Sequence, residues 1–345
     1  MITLKRSEVR IGDIIFYDVF PVSAKKIIAI GPFTKTILGK FVATERECGI
    51  SSTEFHIIED RHQHTLIASF TFPEDVLLSK NKIYTLLFTD GHNSVECNVV
   101  REEIEPSPTS MSTLTIEDPD YILKWIEYNK EVIGVERFYI YSNTEESFLR
   151  FNEAAGDSAL SSMIISILWD VPYRFPGNSI SGQTTQQNHS IYRFNNDDII
   201  GLFDVDEYII PVSGNVLDIV KDIIDETVLI HRDTAQNIKP AAVSLQCLIF
   251  GCGNNKSVDS KSFLKRMNLC AEKIEKKWER QKCFVSPKKV DVFSVHTVVE
   301  GGITFCLPPT ISYFNHYYYI GKNLEDCNCI VYCAKENEII LKLIN

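Results

Sequence analysis

The chain has 345 residues, 44% of them hydrophobic and 23% charged, with a formal net charge of -11. This balance excludes a disordered chain and a general nucleic-acid binder, which would cluster Lys and Arg. No stretch reaches the roughly 20 consecutive apolar residues that a membrane-spanning helix needs, and the length predicts two domains, one with a large core and one smaller.

From Met1 to Arg10 apolar and charged residues alternate, with no apolar signal core followed by small residues. The expectation is therefore a soluble, cytoplasmic protein. Residues 1–105 read as a small, sandwich-like all-β domain. Its short β-rich runs, such as Asp13–Tyr17, Thr65–Phe70 and Ile83–Phe88, are punctuated by turns such as Asp90-Gly91. Glu105-Pro106-Ser107-Pro108-Thr109-Ser110 has the composition of a linker.

Residues 110–330 follow a different grammar, strand alternating with helix. Met111–Ile116 is a strand. Asp118 caps a helix with Pro119 at its first position, and Gly134 ends that helix. Strand Val135–Tyr141, helix Thr144–Ala155, strand Ser162–Trp169, helix Gly182–Phe194 and strand Ile199–Phe203 complete the pattern. Such alternation predicts a mostly parallel sheet covered on both faces, with ligands bound beyond the carboxyl ends of the strands. Lys273, Lys276, Lys277, Arg280, Lys282, Lys288 and Lys289 read as the solvated face of an amphipathic helix, with Ile274 and Trp278 spaced i, i+4 on the other face. A rim for phosphates or an anionic acceptor is the alternative. Residues 331–345 form a C-terminal extension. The ten cysteines, including Cys327, Cys329 and Cys333, lack zinc-finger spacing and read as reduced structural thiols.

The buried-strand run Ile199–Phe203 ends in Asp204-Val205-Asp206-Glu207. In an extended segment residues i and i+2 point the same way, so Asp204 and Asp206 can offer oxygens to one hard divalent cation while Val205 returns to the core. Such a cation can bridge a diphosphate and offset charge on a leaving phosphate. The bland reading is a solvated loop after a strand, where Asp is common.

Ordered landmarks extend this motif. Tyr121–Tyr128 and Gly134–Asn143, then Gln183-Thr184, Phe203–Tyr208 with Pro211, Phe250-Gly251, Pro287, Val295-His296 and Asn315-His316-Tyr317 together resemble glycosyltransferase family 92. The resemblance implies a GT-A (Rossmann-like) fold and an inverting, metal-dependent glycosyltransferase. It would use Mn2+ (or Mg2+) to move galactose or a related hexose from a UDP-sugar to a glycan acceptor. It further implies donor-binding roles for Thr115, Glu117, Asn143, Gln183, Asp204 and Lys322, metal ligation by Asp204, Asp206 and His296, and a place near the acceptor or diphosphate for His316. The general base stays unassigned, with Asp259 and Glu207 as candidates. His296 reads equally as a hydrogen-bonded core histidine, His316 as an aromatic-packing residue, and Lys322 and Gln183 as exposed polar residues.

The chain departs from the family pattern at Ile116-Glu117-Asp118, Asn129 and Ser142, which puts the nucleotide's identity in question. A carbohydrate-binding or scaffolding protein that keeps the fold without turnover is the competing function. A metal-dependent phosphohydrolase would need further acidic or histidine ligands at other strand ends.

Overall fold

A computed structural model describes residues 1–34, 41–73, 78–175, 180–226, 229–230, 237–251, 269–271, 280–317 and 330–331. Up to Pro108 the regular structure of the described chain consists of strands alone: β1 (Ile2–Leu4), β2 (Val9–Ile11), β3 (Ile14–Phe16), β4 (Asp18–Pro21), β5 (Lys26–Pro32), β6 (Val42–Glu45), β7 (Glu54–Ile58), β8 (Thr65–Thr71), β9 (Ile83–Thr89) and β10 (Ser94–Val100). An antiparallel sheet of order β4-β5-β8-β7 and a second of order β10-β9-β6 enclose a core that includes Phe16, Phe41, Phe70 and Phe88. Edge-to-face ring pairs such as Phe70–Phe88, with centroids 5.3 Å apart, knit it together. Gly31 is obligatory here, because a Cβ at that position would lie 1.9 Å from the Ile15 carbonyl oxygen.

The rest of the described chain runs β11 (Thr109–Thr115), α1 (Pro119–Tyr128), β12 (Arg137–Ser142), α2 (Glu145–Gly156), β13 (Ile164–Leu168), α3 (Ser181–Arg193), β14 (Ile199–Leu202), β15 (Glu207–Pro211), α4 (Val216–Glu226), β16 (Leu229–Ile230), β17 (Asn237–Ile238), β18 (Pro240–Leu245), β19 (Cys247–Gly251), β20 (Leu269–Ala271), β21 (Lys282–Val285), β22 (Val292–Ser294), β23 (Thr297–Glu300), β24 (Ile303–Cys306), β25 (Ser312–Tyr317) and β26 (Ile330–Val331). The expected caps are present. Asp118 accepts from the Asp120 N–H at the start of α1, Pro119 opens the helix, and a π-helical turn over Asn129–Ile133 closes at Gly134 with φ 89°.

The main sheet has eight strands in the order β1-β13-β12-β11-β14-β21-β18-β24. From β1 to β14 every pairing is parallel. β21 then runs antiparallel to both β14 and β18, so the sheet is mixed beside the strand that carries the acids. Side-chain alternation splits β12 between two cores. Phe138 and Ile140 face α1, α2 and α4, whereas Tyr139 and Tyr141 join Trp169, Ile191 and Phe194 on the other side. A smaller sheet, of order β15-β25-β19-β20-β26, carries the chain away from the acidic segment.

The divisions expected near residues 105 and 330 mark changes of sequence grammar, and strand pairing crosses both. β1 extends the main sheet by pairing in parallel with β13, and Val331 pairs with Cys270. The amino-terminal region also shares cores with the rest. Leu4 and Tyr17 pack with Trp169, and Phe20, Ile28, Ile30 and Ile67 pack with Val292 and Val299. Among the described residues no helix is long and apolar enough to cross a membrane. Cys48, Cys97, Cys247, Cys283 and Cys306 are free thiols, while Cys327, Cys329 and Cys333 lie outside the described residues.

Candidate active site at the end of β14

Beyond Leu202 the chain leaves the main sheet and turns over Asp204–Glu207 before entering β15. The turn is closed from both sides. The Glu207 N–H donates to the Asp204 carbonyl at 3.1 Å, and the Asp204 N–H donates to Glu207 Oε2 at 2.9 Å. Phe203 and Val205 anchor it in the core. The segment is thus a tight turn instead of the extended run that the sequence suggested, and Asp204 and Asp206 have different partners. Glu207, which can cap an N–H three residues back, is the physical reason.

Two members of the Trp125-Ile126-Glu127-Tyr128 block hold this turn from behind. Trp125 Nε1 donates to the Glu207 carbonyl at 2.9 Å, and the Tyr128 hydroxyl donates to the Ile209 carbonyl at 2.6 Å. Asn129 sends its amide back to the Trp125 carbonyl. The helix that opens the α/β region therefore positions the acids through backbone hydrogen bonds.

Asp204 receives Lys282 Nζ at 2.5 Å and Gln183 Nε2 at 3.3 Å. Lys282 also lies 3.3 Å from Glu207 Oε2. Burial alone would raise the Asp204 carboxyl, but the Lys282 ammonium outweighs it and holds the group below the usual carboxylate range. Burial likewise works against a charged Lys282, and Asp204 and Glu207 overcome it and raise its pKa. Glu207 is pushed up to about 7, mainly by burial, with Asp204 and Asp206 adding to the rise while Lys282 opposes it.

Across the turn, β25 places His316 opposite Glu207. His316 Nε2 is 3.4 Å from Asp206 Oδ2, and Nδ1 is 3.7 Å from Glu207 Oε1. Burial disfavours a charged imidazole, yet Asp206 prevails and raises the His316 pKa well above its ordinary value. Asp206, Glu207 and His316 each offer one ligand atom within 4.8 Å of the others. Glu207 Oε1 is buried and has no hydrogen-bond partner among the described residues.

Of the other expected site residues, the structure describes Thr115, Glu117, Asn143, Gln183 and His296. Thr115 ends β11, and its hydroxyl accepts from the Glu117 N–H at 3.0 Å. The Glu117 carboxyl is raised by burial and by Asp206. Asn143 spends its amide on the Trp169 and Val171 carbonyls, clasping the ends of β12 and β13. Gln183 is buried on α3, between the Tyr173 hydroxyl and Asp204. His296 is not in the Asp206–Glu207–His316 group of close ligand atoms, although it lines the same cavity as Glu207 and His316. It hydrogen-bonds the Gln281 carbonyl through Nδ1 at 2.6 Å, and burial with Lys282 nearby lowers its pKa to about 4. Asp259 and Lys322 lie outside the described residues, as do Lys273, Lys276, Lys277, Ile274 and Trp278.

Lys282 is the largest departure from the sequence reading, which placed it on a solvated helix face. It is 2% exposed and starts a strand. The signal for this was the apolar run Cys283-Phe284-Val285 before Ser286-Pro287, which is too short and too continuous for the amphipathic pattern.

The arrangement defines a polar ligand-binding centre beyond the carboxyl end of a parallel strand in an α/β protein, with paired carboxylates, an imidazole and a buried ammonium. Residues 171–338 match the family model of Glycosyltransferase family 92, so this segment, which contains α3, the acidic turn, Lys282, His296 and His316, is similar to a family of glycosyltransferases. The landmarks Tyr121–Tyr128 and Gly134–Asn143 precede the matched segment. No curated protein matches the chain.

Proposed function

We propose that the protein is a metal-assisted, inverting glycosyltransferase of the GT-A type that moves a hexose, galactose or a close relative, from a UDP-sugar to a glycan acceptor. The observation that carries this reading is the acidic turn at the end of β14, with His316 facing it, inside the segment that matches the family model. The parallel β13-β12-β11-β14 half of the sheet supports a nucleotide site beyond the ends of β11 and β12, where Thr115, Glu117 and Asn143 lie.

The donor set fits a divalent cation. Asp206, Glu207 and His316 supply two carboxylates and one imidazole, and the buried Glu207 Oε1, which has no hydrogen bond among the described residues, is an atom that a cation would satisfy. Mixed oxygen and nitrogen ligands suit Mn2+ better than Mg2+, which prefers oxygen and water. This set differs from the expected Asp204, Asp206 and His296. Asp204 is drawn to Lys282, and His296 is engaged with the Gln281 carbonyl. When bound, such a cation supplies Lewis-acid neutralisation of a leaving diphosphate.

The chain's own residues do the remaining work. Lys282 and Gln183 fix the Asp204 carboxylate in one orientation. Trp125 and Tyr128 hold the turn rigid from the core side, so its carboxylates need little reorganisation when substrate arrives. Glu207 is enclosed and already bonded to the Asp204 N–H, which suits ligation and turn closure better than proton transfer to an acceptor.

Thermal shift and nucleotide release with a panel of nucleotide sugars and Mn2+ test the proposal. Protection by a UDP-sugar should require the metal and vanish in Asp206→Ala. Absence of protection by any nucleotide sinks the reading, and binding without turnover moves the protein to the class of carbohydrate-binding or scaffolding proteins.

A further inference from the structure

A cavity of about 420 Å³ opens beside Asp204, and its walls come from both halves of the chain. Gln183 on α3 and Tyr173 before it border the cavity, with Lys282 at the start of β21, Arg280 just ahead of that strand, and Ser294 and His296 around the turn from β22 to β23. Glu207 and His316, two of the three proposed cation ligands, line its inner end, so the cavity adjoins the proposed cation site, and a further wall holds His62 and His64, from the loop that joins β7 to β8 in the amino-terminal region. Both histidines lie outside the segment that matches the family model.

That loop is built to hold its shape. Asp60 is buried and its carboxylate accepts three backbone N–H groups, those of His62, His64 and Thr65, each at 2.9 Å. Gln63 adopts a left-handed φ of 57° and donates its N–H to the Asp60 carbonyl. An ordinary surface loop has no need of a buried carboxylate gathering its amides. Here the result is two imidazoles on one tight turn, their rings 5.9 Å apart, with His64 Nδ1 3.2 Å from Ser294 Oγ. Arg61 adds an ion pair to Glu300 at 3.5 Å, a second link between the loop and the β22–β23 hairpin.

Sheet order separates this cavity from the proposed nucleotide end. Thr115, Glu117 and Asn143 follow β11 and β12, to one side of β14, whereas Lys282 lies on β21, to the other. Asp204 sits between them. The cavity offers flat rings from His62, His64 and Tyr173 together with hydroxyl, imidazole and ammonium groups. A ring with C–H faces and many hydroxyls satisfies such a mixture, because the faces pack on rings while the hydroxyls exchange hydrogen bonds.

We propose that this cavity is the acceptor subsite, that its occupant is a carbohydrate, and that His62 and His64 of the amino-terminal region form its wall and set which sugar is accepted. The inference rests on the reading of the acidic turn as the donor site. The amino-terminal region is then part of the site itself.

Saturation-transfer NMR on the full chain, with methyl β-galactoside and methyl β-glucoside as probes, tests this directly. The native protein should transfer magnetisation to at least one probe, with and without UDP and Mn2+. The His62→Ala/His64→Ala double variant should bind about tenfold more weakly or worse. His56→Ala, which removes an exposed histidine of β7 that does not border the cavity, should retain the signal. His62→Ala alone is the fallback if the double variant fails to fold, since that side chain is exposed. Unchanged transfer in a folded His62→Ala/His64→Ala protein overturns the proposal, as does displacement of the probe by UDP or no transfer from the native protein. Thermal shift by UDP with Mn2+, measured in parallel, reports on the donor reading separately, so the two can fail independently.

Discussion

His189 is buried on α3 with both ring nitrogens engaged. The Tyr141 hydroxyl lies 2.7 Å from Nδ1, and Asp18 Oδ2 lies 2.8 Å from Nε2. A neutral ring that accepts from Tyr141 and donates to Asp18 satisfies every partner. Burial holds His189 below its usual range against the pull of Asp18. In the unfolded chain the same ring takes up a proton near pH 6.5. Below that pH the unfolded state therefore binds more protons than the folded one, and stability falls as pH drops, by at most about 1.4 kcal/mol per unit from this residue. Urea melts between pH 8 and 5.5 should show this slope, and His189→Gln should flatten it. Equal slopes in the two proteins would mean that the ring takes up its proton at the same pH folded and unfolded, and a slope of opposite sign that the folded ring keeps its proton. Nothing in the sequence around His189 announced this role, because its partners are 48 and 171 residues away. Lys282 was misread for the same reason. Its meaning lies in Asp204, 78 residues distant, and local charge density pointed to solvent. Asp204 and Asp206 were legible because a short motif at the end of a buried strand carries its own context, although the turn that separates their partners was not.

At the scale of elements, α3 is the least ordinary. It is polar along most of its length and yet buried from Ser181 to Ile191. Sequence located it within a residue or two, while its burial followed from what lies on either side. The helix contacts β5 and β8 of the amino-terminal sheet, β11 of the main sheet, and β22. Its side chains bond the neighbouring backbone in place of water. Asn188 both donates to the Phe293 carbonyl and accepts from the Phe293 N–H, and Gln187 accepts from the Val295 N–H. These bonds place the β22 end and, with it, the Ser294–His296 wall of the cavity. Asn188→Ala leaves both Phe293 groups without their partner and should cost about 2–4 kcal/mol in chemical denaturation, since each buried unsatisfied group costs about 1–3 kcal/mol. A loss under about 0.5 kcal/mol would show that the Phe293 backbone finds other partners.

For the whole molecule, the alternation of strand and helix after residue 109 and the all-strand character before it were readable from periodicity and turn residues. How the two parts join was not, because pairing of β1 with β13 and packing of Phe20, Ile28 and Ile67 on Val292 and Val299 leave no local trace in sequence. The prediction at this scale concerns truncation. A fragment lacking residues 1–105 exposes the α3 face and the outer edge of β13, and should be insoluble or expanded by size-exclusion chromatography and circular dichroism. A cooperative melt of that fragment would show instead that the α/β part folds by itself.

The parallel pairing of Ile2–Leu4 with Ile165–Ile167 also bears on how the chain is made. On the ribosome this strand emerges long before its partner, and a parallel match cannot be closed by a local hairpin. Most of the amino-terminal strands can pair as they are synthesised, whereas β1 must wait until β13 has been made. A bulky tag fused at Met1 would compete with that pairing, and the same tag placed in an exposed loop such as the Asp90-Gly91 turn would not.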